Sequence, residues 1–131
     1  MVSDKISLLT TDNDFIEFVH NWVKLCAAGE INHAFSLLDE PLDKSRHTWT
    51  PDDINEITYD HFGDKKYSVI TNPDTVEGNI RTDIYKYNDG SGWVVEYDLP
   101  LNGVVSDFTL IFEFIEHNGK LRVVLDDCHV M

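Results

Sequence analysis

Three glycine-bearing turn signals, Gly90-Ser91-Gly92, Asn102-Gly103 and Asn118-Gly119, separate four runs of alternating apolar and polar residues in the second half of the chain. Asn-Gly pairs supply the positive φ values of two-residue hairpin turns, so the spacing predicts an antiparallel meander. Such turns also set register, and register decides which side chains share a face. In the first hairpin an even register would put Asp83 opposite Asp98. A three-residue loop with Gly92 left-handed puts Lys86 opposite Glu96 and Tyr85 opposite Tyr97 instead, exchanging a like-charge pair for an opposite-charge one. Two-residue turns at both Asn-Gly sites pair Tyr97 with Phe108, Val95 with Leu110 and Trp93 with Phe112, then Phe112 with Leu125 and Phe114 with Val123. Continued, this register lines up Tyr85, Tyr97, Phe108 and His129 in one row, and Tyr87, Val95, Leu110 and Asp127 in the next. The other face carries Lys86, Glu96, Thr109, Glu113, Arg122 and Asp126 among Val94, Ile111, Ile115 and Val124.

The first half reads as helices. Thr11-Asp12-Asn13-Asp14 offers capping acceptors and negative charge to a helix start, and Phe15, Val19, Trp22 and Cys26 follow at helical spacing to about Ala28, where Gly29 ends the run. Ile31, Ala34, Phe35 and Leu38 mark a short second helix closed by Pro41. Thr50-Pro51-Asp52-Asp53 starts a third, which Gly63 stops. Asp43 to Trp49 has room for a short strand, and Tyr67-Ser68-Val69-Ile70 is extended before a Pro-Asp turn. The aromatic face of the sheet needs a cover. The expected fold is therefore α+β, with N-terminal helices on the concave face of a curved antiparallel sheet in one domain spanning 1–131.

Charge narrows the functional classes. Ten basic against 24 acidic residues give a net charge of −14, so nucleic acid is not an expected partner. The start of the chain has no basic segment followed by an apolar run, and no stretch approaches the ~20 apolar residues of a membrane span. Cys26 and Cys128 form no CxxC pair and read as reduced packing residues of a cytoplasmic protein. His33, His47, His61 and His117 lack zinc spacing, and Glu17 with His20 shares a helix face with Asn21 and Lys24 that reads as solvated. No metal or cofactor is expected. Ser36, Ser91 and Ser106 have no nucleophile-elbow context.

The order of helix, Ala27-Ala28-Gly29-Glu30, a short helix with Ala34-Phe35-Ser36-Leu37-Leu38, and a late meander resembles the nuclear transport factor 2-like superfamily of cone-shaped α+β domains. The stretches Trp49-Thr50-Pro51-Asp52-Asp53-Ile54, Ser106-Asp107-Phe108-Thr109-Leu110 and Asp126-Asp127-Cys128-His129-Val130 also look like an uncharacterised group of small bacterial proteins. The superfamily resemblance implies helices seated in the cone and, in its ketosteroid isomerase-like and dehydratase-like enzymes, acid-base residues inside it. No complete catalytic set of that kind is matched here.

Asp127 and His129 are two apart on a strand and point the same way, which in the derived register is under the helices beside Leu110, Phe108 and Tyr97. Desolvation there would raise the carboxylic acid's pKa and lower that of the imidazole, while pairing would oppose both shifts, so they are the candidate acid-base pair. Tyr85, Tyr87, Trp93, Tyr97 and Phe108, with Trp22 inserted from the first helix, would line an aromatic pocket for a small hydrophobic molecule. Three readings follow: a small-molecule binder; a lyase- or isomerase-type enzyme using Asp127 or His129; and an acidic protein-binding module such as a bacterial immunity protein. The apolar residues on the outer sheet face predict a homodimer.

Overall fold

Helix α1 (Asp12–Ala27) forms where the apolar period predicts it, and buries Phe15, Phe18, Val19, Trp22, Val23 and Cys26 on one face. It ends at Gly29, where the Glu30 N–H turns back to the Leu25 carbonyl at 2.9 Å. Helix α2 (Ile31–Ser36) follows at once, and α3 (Pro51–Phe62) starts at the expected cap. Thr50 and Asp53 cap that start reciprocally: the Thr50 N–H donates to the Asp53 carboxylate at 2.8 Å, and the Asp53 N–H donates to Thr50 Oγ1 at 3.3 Å. The computed structural model describes residues 12–62 and 70–130. The Gly63 stop and the extended Tyr67-Ser68-Val69 lie outside the described residues. Ile70 forms an isolated antiparallel bridge with Leu101, and the Pro-Asp turn is present over 73–75.

Strands β1 (Thr82–Lys86), β2 (Gly92–Leu101), β3 (Val104–His117) and β4 (Lys120–Val130) make one open, curved antiparallel sheet in the order β1-β2-β3-β4. The meander and the α+β class stand as the sequence predicted. Both Asn-Gly turns have the first residue and the glycine at positive φ, 53° and 85° at Asn102-Gly103, 51° and 77° at Asn118-Gly119. That is the geometry matching the right-handed twist of a hairpin. The segment Asp43–Trp49 is not a strand. Asp43 accepts the Ser45 N–H at 3.0 Å and the Ser45 hydroxyl at 2.7 Å, a local turn that competes with extended pairing.

Register departs from expectation in three places. In the first hairpin Lys86 faces Trp93, Tyr85 faces Val94 and Asp83 faces Glu96, because the turn closes over a longer loop in which Gly90, not Gly92, has positive φ. Gly92 serves a different need, since a methyl group there would overlap the Phe114 carbonyl oxygen. Between β2 and β3 the turn-proximal pairs Leu101–Val104 and Pro100–Val105 match a two-residue turn, but beyond an irregularity the pairs are Tyr97–Leu110, Val95–Phe112 and Trp93–Phe114. Ser106 stitches this irregularity, donating to the Leu99 carbonyl at 2.5 Å and accepting the Phe108 N–H at 3.1 Å. The shift is two residues, so every side chain keeps its face. Between β3 and β4, Phe112–Leu125 and Phe114–Val123 pair as derived, after which one extra residue, Asp126, moves the remaining pairs to Ile111–Asp127, Leu110–Cys128 and Thr109–His129.

The core lies between α1 and the inner face. Phe15 stacks on Trp93 and Phe114 with centroids 4.6 and 4.8 Å apart, and Trp22 packs on Phe35 and Phe112 at 5.2 and 5.1 Å. Trp22 is only 1% exposed and gives its indole N–H to the Ala34 carbonyl at 2.7 Å, tying α1 to α2. Burial pushes both the Cys26 and Cys128 thiols up to about 12, so each packs as an apolar group.

Candidate functional site

Among the described residues, the inner aromatic face is packed as core. Tyr97, Phe108, Phe112 and Phe114 are buried to within 1%, and from α1 Phe15 packs on Phe114, Trp22 on Phe112 and His20 on Tyr97. Trp93 and Trp22 sit where expected, but as packed core. Tyr85 and Tyr87 do not join them. The observed register turns both to the outer face, where Tyr85 is 52% exposed and the Tyr87 hydroxyl donates to Glu113. Asp127 and His129 are likewise corrected. They do point the same way, with His129 Nδ1 3.0 Å from Asp127 Oδ2, yet the extra residue at Asp126 puts them opposite Ile111 and Thr109 on the outer face, with side chains 47% and 41% exposed. Cys128 takes the inward position beside Leu110.

A contact from the α2–α3 connection holds that extra residue. Trp49 donates its indole N–H to the Asp126 carbonyl at 3.2 Å, and Arg46 pairs with the Asp126 carboxylate while reaching Glu113 at 3.2 Å. The bulge thus has both its carbonyl and its side chain engaged from outside the sheet, which a strand-by-strand reading cannot show.

Arg81, just ahead of β1, organises the other half of the outer face. Its guanidinium makes a two-pronged contact with Asp98 at 3.1 Å on each side, and reaches Asp83 at 2.5 Å and Glu96 at 3.1 Å. Asp98 also accepts the Thr109 hydroxyl at 2.8 Å. Hydrogen bonds that Arg81 donates to Asp98, then to Glu96, hold it above its ordinary value and permanently charged. One cation meets three carboxylates, so the cluster stays negative. Nearer β4, Arg46 serves Glu113 and Asp126, and Tyr87 is pushed up to about 12 by burial and then by Glu113. Half-buried Val94, Ile111 and Ile115 lie between these groups. The outer face is an apolar strip under exposed Tyr85, flanked by carboxylates. Lys86, expected here, instead projects toward the inner side, its ammonium 5.7 Å from the Trp93 ring.

Sequence reading also missed a chain of contacts at the edge of the core. His20, expected on a solvated helix face, has Nδ1 3.2 Å from the Tyr97 hydroxyl and Nε2 2.8 Å from Asp74, which pairs with Lys24 at 2.9 Å. With the imidazole neutral, Nε2–H donates to Asp74 and Nδ1 accepts the Tyr97 O–H. Hydrogen bonds from Lys24 and then His20 hold the Asp74 carboxyl below its usual range, and burial raises Tyr97. Because Tyr97 is 1% exposed, the chain clamps α1 to β2 and to the 73–75 turn rather than presenting a hydroxyl to a substrate. The only available signal was the proximity of His20 to the helix face bearing Trp22 and Val23.

Among the described residues, no group of three or more His, Cys, Asp or Glu side chains could hold a metal ion, and no helix is long and apolar enough to cross a membrane. The fold and outer face define an α+β domain with one sheet side packed by helices and the other left charged and open. A family profile described as "Domain of unknown function (DUF7668)" matches residues 32–131, and the chain belongs to that family. The match includes the whole sheet, Arg46 and Arg81, and leaves α1 with His20 outside it. No curated protein and no solved structure matches the chain.

Proposed function

We propose that this protein is an acidic protein-binding domain that docks a basic partner protein on the outer face of its sheet. The observation that carries the reading is the contrast on that face between exposed Tyr85 with half-buried Val94, Ile111 and Ile115, and the carboxylates of Asp83, Glu96 and Asp127 around them. An aromatic anchor in an apolar strip with a charged rim is the usual anatomy of a recognition surface. The net charge of −14 steers a basic partner toward it and disfavours a second copy, whose matching face would bring like charge. Helices seated on one side of an open meander also support the nuclear transport factor 2-like reading, with the cone filled by its own side chains.

The reading is tested with a photo-crosslinking residue in place of Tyr85, in cells that make the protein, followed by binding of the purified captured protein. The expected result is a heterologous partner with a basic surface, whose affinity falls at least tenfold between 50 and 300 mM salt and at least tenfold in a D83K/D127K variant. Capture of a second copy of this chain, or binding that ignores salt and both substitutions, contradicts it.

A further inference from the structure

The sheet has two edges, and the chain treats them differently. Along β4 the α2–α3 connection stands where a neighbouring strand would. The Asp39 N–H donates to the Val123 carbonyl at 2.7 Å, the Val123 N–H donates to the Asp39 carboxylate at 2.9 Å, and Trp49 holds the Asp126 carbonyl. Strand β1 ends the sheet on the other side, and among the described residues no strand pairs with it there. The ladder between β1 and β2 shows which backbone groups of β1 are left over. The Arg81 carbonyl accepts the Asp98 N–H at 3.0 Å and the Tyr87 N–H donates to the Gly92 carbonyl at 2.9 Å, so Asp83 and Tyr85, in phase with them, turn their backbone groups to β2. Thr82, Ile84 and Lys86 turn theirs to the open edge, where they form a template for one more strand.

Side chains set the chemistry of that strand. Asp83 and Tyr85 lie on the outer face, and Ile84 between them lies on the inner one, packed at the margin of the core. Arg81 is shared among three carboxylates, those of Asp83, Glu96 and Asp98, so negative charge is left over beside the edge. Lys86 does not offset it, since its ammonium lies over Trp93 on the inner side. Residues of an added strand opposite Asp83 and Tyr85 would form non-hydrogen-bonded pairs, in which side chains approach most closely. A basic group there meets a carboxylate at one position and an exposed ring at the other. A second copy of this chain would bring carboxylates to the same place. We infer that the open edge of β1 takes up an extended segment of the partner as an added strand, with Arg or Lys opposite Asp83 and Tyr85 and an apolar residue between them. The inference rests on the protein-binding reading and specifies how that partner docks.

The probe is an acetylated and amidated hexapeptide of alternating arginine and valine, titrated into the full chain and followed by amide chemical shifts and hydrogen exchange. The expected result is saturable binding that slows exchange at the Thr82, Ile84 and Lys86 amides. A peptide of the same composition with its arginines consecutive binds at least fivefold more weakly, because it cannot keep charge on one face. Ile84→Pro removes an outward N–H while sparing the bonds to β2, and weakens the alternating peptide at least tenfold; Thr82→Pro is the second variant should the first fail to fold. No saturable binding, equal binding of the two peptides, unslowed exchange along β1 or indifference to proline overturns strand addition. The broader reading fails separately. A captured basic partner that weakens in D83K/D127K yet binds Ile84→Pro as tightly as the unaltered chain overturns the added strand alone, whereas capture of a second copy overturns both.

Discussion

The two faces of one sheet use different physics. The inner face is dry: rings from α1 interlock with rings from β2 and β3, and the indole N–H of Trp22 has a partner. On the outer face Arg81 and Arg46 cross-link neighbouring strands through carboxylates that remain in excess, and large apolar groups stay half-buried or exposed. Stability comes chiefly from the first face, because burial of aromatic surface is worth far more than partly exposed ion pairs. The second is free to carry charge for recognition.

Trp22→Ala breaks the comparison most severely. It should cost about 3–5 kcal/mol of unfolding free energy in a urea titration, as for other large-to-small core changes. A loss below about 1 kcal/mol would mean that the inner face tolerates a cavity and is not a dry core. Arg81→Ala on the opposite face leaves Asp83, Glu96 and Asp98 without their shared cation. About 1–2 kcal/mol is expected after solvent screening, with part of it recovered in molar salt; a salt-independent loss would show that the arginine acts through packing. Tyr87 gives a pH test. Its neutral phenol is the form held by the fold, with a folded value of about 12 against an unfolded value of ~10. Its contribution is therefore complete below pH 10 and lost as pH rises toward 12. Tyr87→Phe should lessen the fall of the urea midpoint over that window without abolishing it, since buried Cys26, Cys128 and Tyr97 are raised too, and an unchanged slope would remove the burial of Tyr87 and its Glu113 contact from the account. Smallest of all, Asp127→Asn combined with His129→Gln should shift stability by no more than about 0.5 kcal/mol, since both groups are substantially exposed.

The order of elements was legible because its signals are local: helical spacing from Phe15 to Cys26, Thr50-Pro51 at a helix start, and Asn-Gly at two turns. The inner core was legible too, since the two-residue irregularity between β2 and β3 leaves faces unchanged and Trp93, Tyr97 and Phe108 remain where alternation puts them. The candidate site was not. A single extra residue at Asp126 reverses everything after it, and the groups that hold it, Arg46 and Trp49, lie 80 and 77 positions earlier in the chain. Tyr85 and Tyr87 were misplaced for a similar reason: the first turn admits several loop lengths, and the choice among them changes parity. His20 was passed over because its partners, Asp74 and Tyr97, come from a loop and a strand far along the sequence.

The place of Asp127 and His129 on the outer face depends on which residues of β4 look outward. Interstrand proton–proton contacts across β3 and β4, read by nuclear magnetic resonance, test this directly. The register described here predicts contacts pairing Leu110 with Cys128 and Thr109 with His129, together with a Cys128 thiol slow to label in the native state. Contacts pairing Leu110 with Asp127 and Phe108 with His129, with Cys128 labelled at once, would return the acid and the imidazole to the core and contradict the account.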